Sequence, residues 1–139
     1  LKKKIERTVE AKEESNSPYR EFTLEGEYRV YVGKNAKNND ELTMKFAKPN
    51  DLWFHARGCS GSHVVLKTKS GVKSPKKIIE QTAEIAAYYS AARNAGLTPV
   101  SYSEKKFVRK PKGSNVGAVV LERESTILVR PKLPDTLIS

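Results

Sequence analysis

The stretch DLWFHARGCSGSHVVLK, residues 51–67, reads as strand, loop, strand. Aromatic and β-branched residues fill its two arms, and glycines and serines fill the middle, the composition of two strands joined by a turn. In an extended arm alternate side chains share a face. Leu52, Phe54 and Ala56 then lie on one face and read as core. Asp51, Trp53, His55 and Arg57 share the other, which gathers a carboxylate, an indole, an imidazole and a guanidinium.

Working outward, Tyr28, Val30 and Val32 alternate with Arg29 and Tyr31, predicting a half-buried strand that Gly33 ends. NAKNNDELTMKFA, residues 35–47, predicts a short helix capped by Asn38, Asn39 or Asp40 ahead of Leu42 and Phe46. Pro49-Asn50 is a turn. Downstream, residues 74–96 carry helical spacing in Ile78, Thr82, Ile85, Tyr89 and the stem of Arg93. Ser74 suits the N-cap, Pro75 the first helical position, and Gly96 a left-handed C-terminal cap. This predicts one long helix over about 75–94, with alanines that permit close packing on a sheet. Strands are expected at 100–109, 117–122 and 126–131. The fold class expected is α+β, a mainly antiparallel sheet in meander order packed on that helix.

Leu1, Ile5 and Val9 recur every four residues among Lys and Glu, predicting a charged helical tail. Ser15-Asn16-Ser17-Pro18 breaks it. Residues 1–18 are therefore expected to be tail and linker and 19–139 the domain, and the first residue, Leu rather than Met, points to an excised piece.

The 139 residues suit one domain, and 37% hydrophobic against 30% charged is a globular balance. Lys and Arg number 26 against 16 Asp and Glu, a net charge of +10 that favours polyanionic partners. No apolar run reaches the ~20 residues of a membrane span, and the start has no signal-peptide core, so a cytoplasmic protein without a membrane partner is expected. The single cysteine, Cys59, leaves no internal disulfide and fits a reducing compartment.

Several groups are candidates for binding. Trp53 and His55 can stack on unpaired bases, Arg57 can meet phosphate, and Asp51 can orient a histidine or accept from a base edge. The alternative for this face is packing: Trp53 half-buried under a loop, locked by an Asp–His hydrogen bond. In the loop GCSGSH, residues 58–63, glycines such as Gly61 permit close backbone approach, and successive N–H groups plus Ser60 and Ser62 could cradle a phosphate, or the loop could simply turn the chain. His55, Cys59 and His63 lie four apart, but glycines between them oppose a helix and a fourth zinc ligand is missing. No cofactor or metal is expected. Two histidines could also cleave RNA by general acid–base catalysis, which keeps a ribonuclease as an alternative to a non-catalytic binder. Two basic runs remain: Lys67, Lys69, Lys73, Lys76 and Lys77, then Lys105, Lys106, Arg109, Lys110 and Lys112. They read as phosphate contacts or as lysines guarding a sheet edge.

Four blocks, VGKNAKNNDELT (32–43), DLWFHARGCSGSHVV (51–65), AAYYSAAR (86–93) and PKG…G (111–117), together resemble the NFACT-R domain, the RNA-binding module of the NFACT proteins. The resemblance covers residues 28–132. It implies a role in ribosome-associated quality control, with tRNA, large-subunit rRNA and the large ribosomal subunit carrying a stalled peptidyl-tRNA as partners. It also implies support for an untemplated, alanine-rich C-terminal tail on the nascent chain. Lys34, Asn35, Asp51, Trp53, His55, Gly61, Ser62, His63 and the PKG loop are the positions the resemblance marks. Some relatives bind DNA, and an older family label, fibronectin-binding protein, implies a protein ligand instead.

Overall fold

The computed structural model describes residues 17–69 and 72–134. The tail expected around Leu1, Ile5 and Val9 lies outside the described residues. Strands β1 (Tyr19–Leu24), β2 (Tyr28–Gly33), β3 (Leu52–Ala56), β4 (Val64–Leu66), β5 (Thr98–Glu104) and β8 (Ser125–Val129) form a six-stranded sheet. Its order is β1-β2-β4-β3-β5-β8, and every neighbouring pair is antiparallel. The sheet is not a plain meander, because β4 inserts between β2 and β3. Two-residue strands β6 (Val108–Arg109) and β7 (Val120–Leu121) make a separate hairpin. The helices are α1 (Ala36–Glu41), which runs on into a π-helical turn at Leu42–Phe46, and α2 (Lys76–Tyr88).

Alternation along the strands gives the sheet two buried faces. Phe22, Leu24, Val30, Val32, Phe54, Val64, Leu66, Val100 and Val129 meet Ile78, Ala83, Ile85, Ala86 and Ala87 of α2 in the main core. A fully buried aliphatic or phenyl side chain is worth ~1.5–3 kcal/mol, so this face carries most of the apolar stabilisation. On the opposite face Trp53 and Val65 pack with Leu42, Ala47 and Val108, with Tyr31, Phe46 and Leu121 at the margin. Here α1, its π-helical turn and the β6–β7 hairpin form a second cover.

The α+β class and the antiparallel sheet agree with expectation, but the long helix does not. α2 has 13 residues and stops at Tyr88, so Arg93 and Gly96 lie beyond it. Backbone pairing accounts for the stop. Ser62 N–H donates to Tyr89 O at 2.9 Å and Ala91 N–H to Ser60 O at 2.9 Å, a β-bridge between Gly61 and Ser90 that replaces helical bonds. Pro75, not Ser74, holds the N-cap position, and no side chain caps there. Asn35 caps α1, its side chain accepting from Asn38 N–H at 2.8 Å, three residues before the earliest expected cap. β1 is a strand that the sequence reading did not include. The predicted strand 100–109 divides at a 3₁₀ turn, Lys105–Phe107, so the basic run does not form one edge strand.

Candidate nucleic-acid interface

β3 turns Trp53 and His55 away from α2, as alternation requires, but the face is covered. Trp53 is 3% exposed and Asp51 2%. The expectation of an open recognition face is therefore corrected at Asp51 and Trp53, while His55 is half-buried and Arg57 is exposed. The Trp53 indole Nε1–H donates to Thr43 Oγ1 at 3.0 Å. Indole nitrogen only donates, so the Thr43 oxygen accepts there and sends its own proton to His63 Nδ1, 2.8 Å away. His63 is thereby the Nε2–H tautomer, and that hydrogen goes to the Gly117 carbonyl at 2.9 Å. The Gly117 N–H donates to Asp40 Oδ1 at 2.9 Å, and Asp40 pairs with Lys110 at 3.4 Å. One polar relay thus ties the indole of β3 to the loop between β6 and β7.

Burial, with His55 close by, lowers the His63 pKa to about 4. The imidazole is neutral at ordinary pH, and both ring nitrogens are engaged. His55 stacks on Trp53, ring centres 5.9 Å apart and planes 17° from parallel. Burial lowers its pKa also, opposed by a hydrogen bond with the Gly61 backbone. Among the described residues no group of three or more His, Cys, Asp or Glu could hold a metal.

The loop after β3 is zipped to the end of α2. Gly61 sits so close that a Cβ there would lie 2.8 Å from Ser90 Cβ, and only glycine fits. The Ser62 amide bonds to Tyr89 O and the His63 amide to Asn39 Oδ1. Two of the N–H groups expected to cradle phosphate therefore point inward. What the loop offers outward are the Ser60 and Ser62 hydroxyls, on the wall of an open groove of about 590 Å³. Lys34 and Asn35 border it from the start of α1, His55 and His63 form its floor, and Tyr89 and Arg93 close it beyond α2. None of the described residues lining it is acidic. The Arg93 guanidinium lies 4.0 Å over the Tyr88 ring, held by Nε donating to Tyr88 O at 2.8 Å.

The expected site residues divide. Lys34, Asn35, His55, Gly61, Ser62 and His63 converge on the groove. Asp51 is a clasp at the far end of β3: its carboxylate accepts from Lys48 N–H and Thr68 N–H and pairs with Lys67. Arg57 is exposed near Glu124 and Thr126, outside the groove. Lys105 and Lys106 lie in the 3₁₀ turn, with Lys106 donating to Asn50 Oδ1 at 3.2 Å. Arg109 pairs with Glu122 at 2.6 Å across the hairpin. Lys110 points inward and donates to the Asn115 and Ala118 carbonyls. Lys112 is exposed and makes no ion pair or hydrogen bond among the described residues. Ser60 was expected in the loop and lines the groove, whereas Arg93 and Tyr89 were missed as site residues. Their signal was present in the AAYYSAAR block, but a continuing helix placed Tyr89 and Arg93 on the wrong surface.

Comparison with known proteins bears on this groove. The family model for the NFACT protein RNA binding domain matches residues 19–122. The chain is 40% identical over 114 residues to the Rqc2 homolog RqcH of Streptococcus suis, covering 82% of this chain and 20% of that protein. The Bacillus subtilis Rqc2 homolog RqcH is 36% identical over 109 residues, covering 78% and 18%. The chain spans about a fifth of the length of these relatives. Among solved structures, the C-terminal part of the fibronectin/fibrinogen-binding protein from Streptococcus suis superimposes with a TM-score of 0.77. It shares 38% identity and covers 86% of this chain and 47% of that chain.

Proposed function

The chain belongs to the NFACT RNA-binding domain family, and on that premise we propose that it binds RNA through the groove beyond the end of α2. In a ribosome quality-control factor this domain would contact tRNA and large-subunit rRNA on a subunit that still carries a stalled peptidyl-tRNA. It would so support the C-terminal tailing of the nascent chain. The observation that carries the reading is the groove's lining: Lys34 and Arg93 as cations, hydroxyls from Ser60 and Ser62, and no acidic side chain.

Those groups suit one unstacked nucleotide and its flanking phosphates. Arg93 offers a planar donor already stacked on Tyr88, so little freedom remains to be lost on binding. His55, neutral and half-buried, offers an edge to a base without demanding a proton. Half-buried Lys105 and exposed Lys112 add charge that is indifferent to base identity. Trp53, Thr43 and His63 act as positioning residues in this reading, because their polar atoms face one another.

Titration of fluorescent tRNA against the chain over a range of salt tests the proposal. The Lys34→Ala/Arg93→Ala double variant removes two cations whose loss leaves the core untouched. Its plot of log K against log salt should flatten by about 1.4–1.8, two contacts' worth. A folded double variant with the parent's affinity and slope would refute the groove as the binding surface.

A further inference from the structure

We propose that a second cavity, at the N-terminal end of α2, receives another unstacked nucleotide of the same RNA strand; the identity of the strand rests on the RNA reading above. This cavity measures about 940 Å³ and, among the described residues, shares no lining residue with the groove. The two sites flank α2, whose 13 residues make it roughly 20 Å long at 1.5 Å per residue.

The walls set the chemistry of the occupant. Leu52, Ile79 and Tyr102, each half-buried on the edge of the main core, give an apolar floor. Val72, 53% exposed, extends it toward solvent. Lysines stand around this floor. Lys67 is held against Asp51 and over the Phe46 ring, and Lys69 pairs with Glu27. Lys48 and Lys73 make no ion pair or side-chain hydrogen bond among the described residues, which leaves two ammonium groups for an incoming anion. The Ser74 hydroxyl, also on the wall, is buried without a hydrogen-bond partner.

A bare phosphate would have no use for the floor, and a purely apolar ligand none for the lysines. A ligand with a flat apolar body and an anionic group matches both. A nucleotide also meets the remaining polar groups, since the Glu104 carboxylate at the rim can accept from an exocyclic amino group of a base. The Asp51 carboxylate does not compete with phosphate for the lysines, because Lys67 and two backbone N–H groups already surround it. Each cavity then takes one base, and the strand between them runs alongside α2.

Adenosine monophosphate is the probe. Proton–nitrogen correlation spectra of the 139-residue chain should show its titration at the amides of Asn50, Leu52, Lys69, Val72 and Ile79. Affinity read there should fall about three- to tenfold in a Lys48→Ala/Lys73→Ala variant, two exposed charges lost without touching the core. Adenosine and ribose 5-phosphate should each bind more weakly than the whole nucleotide. Three results would overturn the proposal: no shifts at these amides, ribose 5-phosphate binding as tightly as the nucleotide, or shifts confined to Lys34 and Arg93. The Lys34→Ala/Arg93→Ala variant should keep the shifts at Val72 and Ile79. A failure of the groove appears in the tRNA titration and a failure of this cavity in the nucleotide titration.

Discussion

The two faces of the central sheet are held by different physics. Under α2, Phe54, Val64, Leu66 and Val100 meet Ile78, Ile85 and a run of alanines, and no hydrogen bond selects which side chain meets which. Apolar burial is strong but non-directional. On the other face Leu42, Val65 and Val108 provide a smaller apolar patch, and within it Trp53, Thr43, His63 and Asn39 are joined atom to atom. Buried polar groups are costly unless every one is paired, so that face tolerates one arrangement. The helix face keeps the domain folded. The wired face decides where the walls of the groove stand.

The contrast can be broken from either side. Phe54→Ala empties the centre of the helix face, and a buried phenyl truncated to alanine typically costs ~3–5 kcal/mol. Thermal denaturation should show a loss of that size, and a loss below about 1 kcal/mol would mean that α2 is not the principal support.

Acid attacks the wired face instead. His63 titrates at about 4 when folded because burial disfavours its charge, against an ordinary value near 6.5. The unfolded chain binds the proton first. The stability contributed by a neutral His63 is therefore complete above about pH 6.5 and is lost as pH falls from there through 4. The window corresponds to something on the order of 3 kcal/mol, and His55, shifted in the same direction, adds to it. Urea denaturation at stepped pH should show a steeper acid loss in the parent than in His63→Gln. Parallel curves would mean that the network does not hold the ring neutral. The smallest effect is expected at Cys59, a free thiol in the loop outside both faces. Cys59→Ser should stay within ±0.5 kcal/mol in stability and keep the parent's affinity for tRNA, whereas a larger change in either would give the loop a role that the contrast denies it.

How much of this could be read in the sequence follows from element length. β2 and β3 are long enough to alternate visibly, β4 is a short apolar run after a glycine-serine loop, and the first three turns of α2 repeat at helical spacing, so the helix face was legible. The wired face was not. Its cover consists of a six-residue helix, a single π-helical turn and strands of two residues, all too short to leave a period. Without that cover Trp53 reads as exposed, although its own strand was identified. Asp51 was seen as a carboxylate, but its partners Lys48 and Thr68 arrive from two separate connections. In β1 a signal was available: Phe22 and Leu24 are buried, Thr23 between them is exposed, and Glu25-Gly26 supplies the turn into β2. The end of α2 had no local sign, because a tertiary bridge to Gly61 diverts the chain there.

Gly117 carries a mechanical consequence. Its φ of +87° is a conformation that suits glycine, and its two peptide groups are gripped from opposite sides. The carbonyl takes the His63 hydrogen while the amide is held by Asp40. The residue is thus a pin, and the chain from Pro111 to Val116 is fastened further by Ser114 on the Pro111 carbonyl and by the Lys110 ammonium on the Asn115 and Ala118 carbonyls. Lys112, exposed on this loop, therefore carries its charge on a backbone held at several points. A polyanion lying along the groove would meet that charge from one side, at a reach set by a handful of residues.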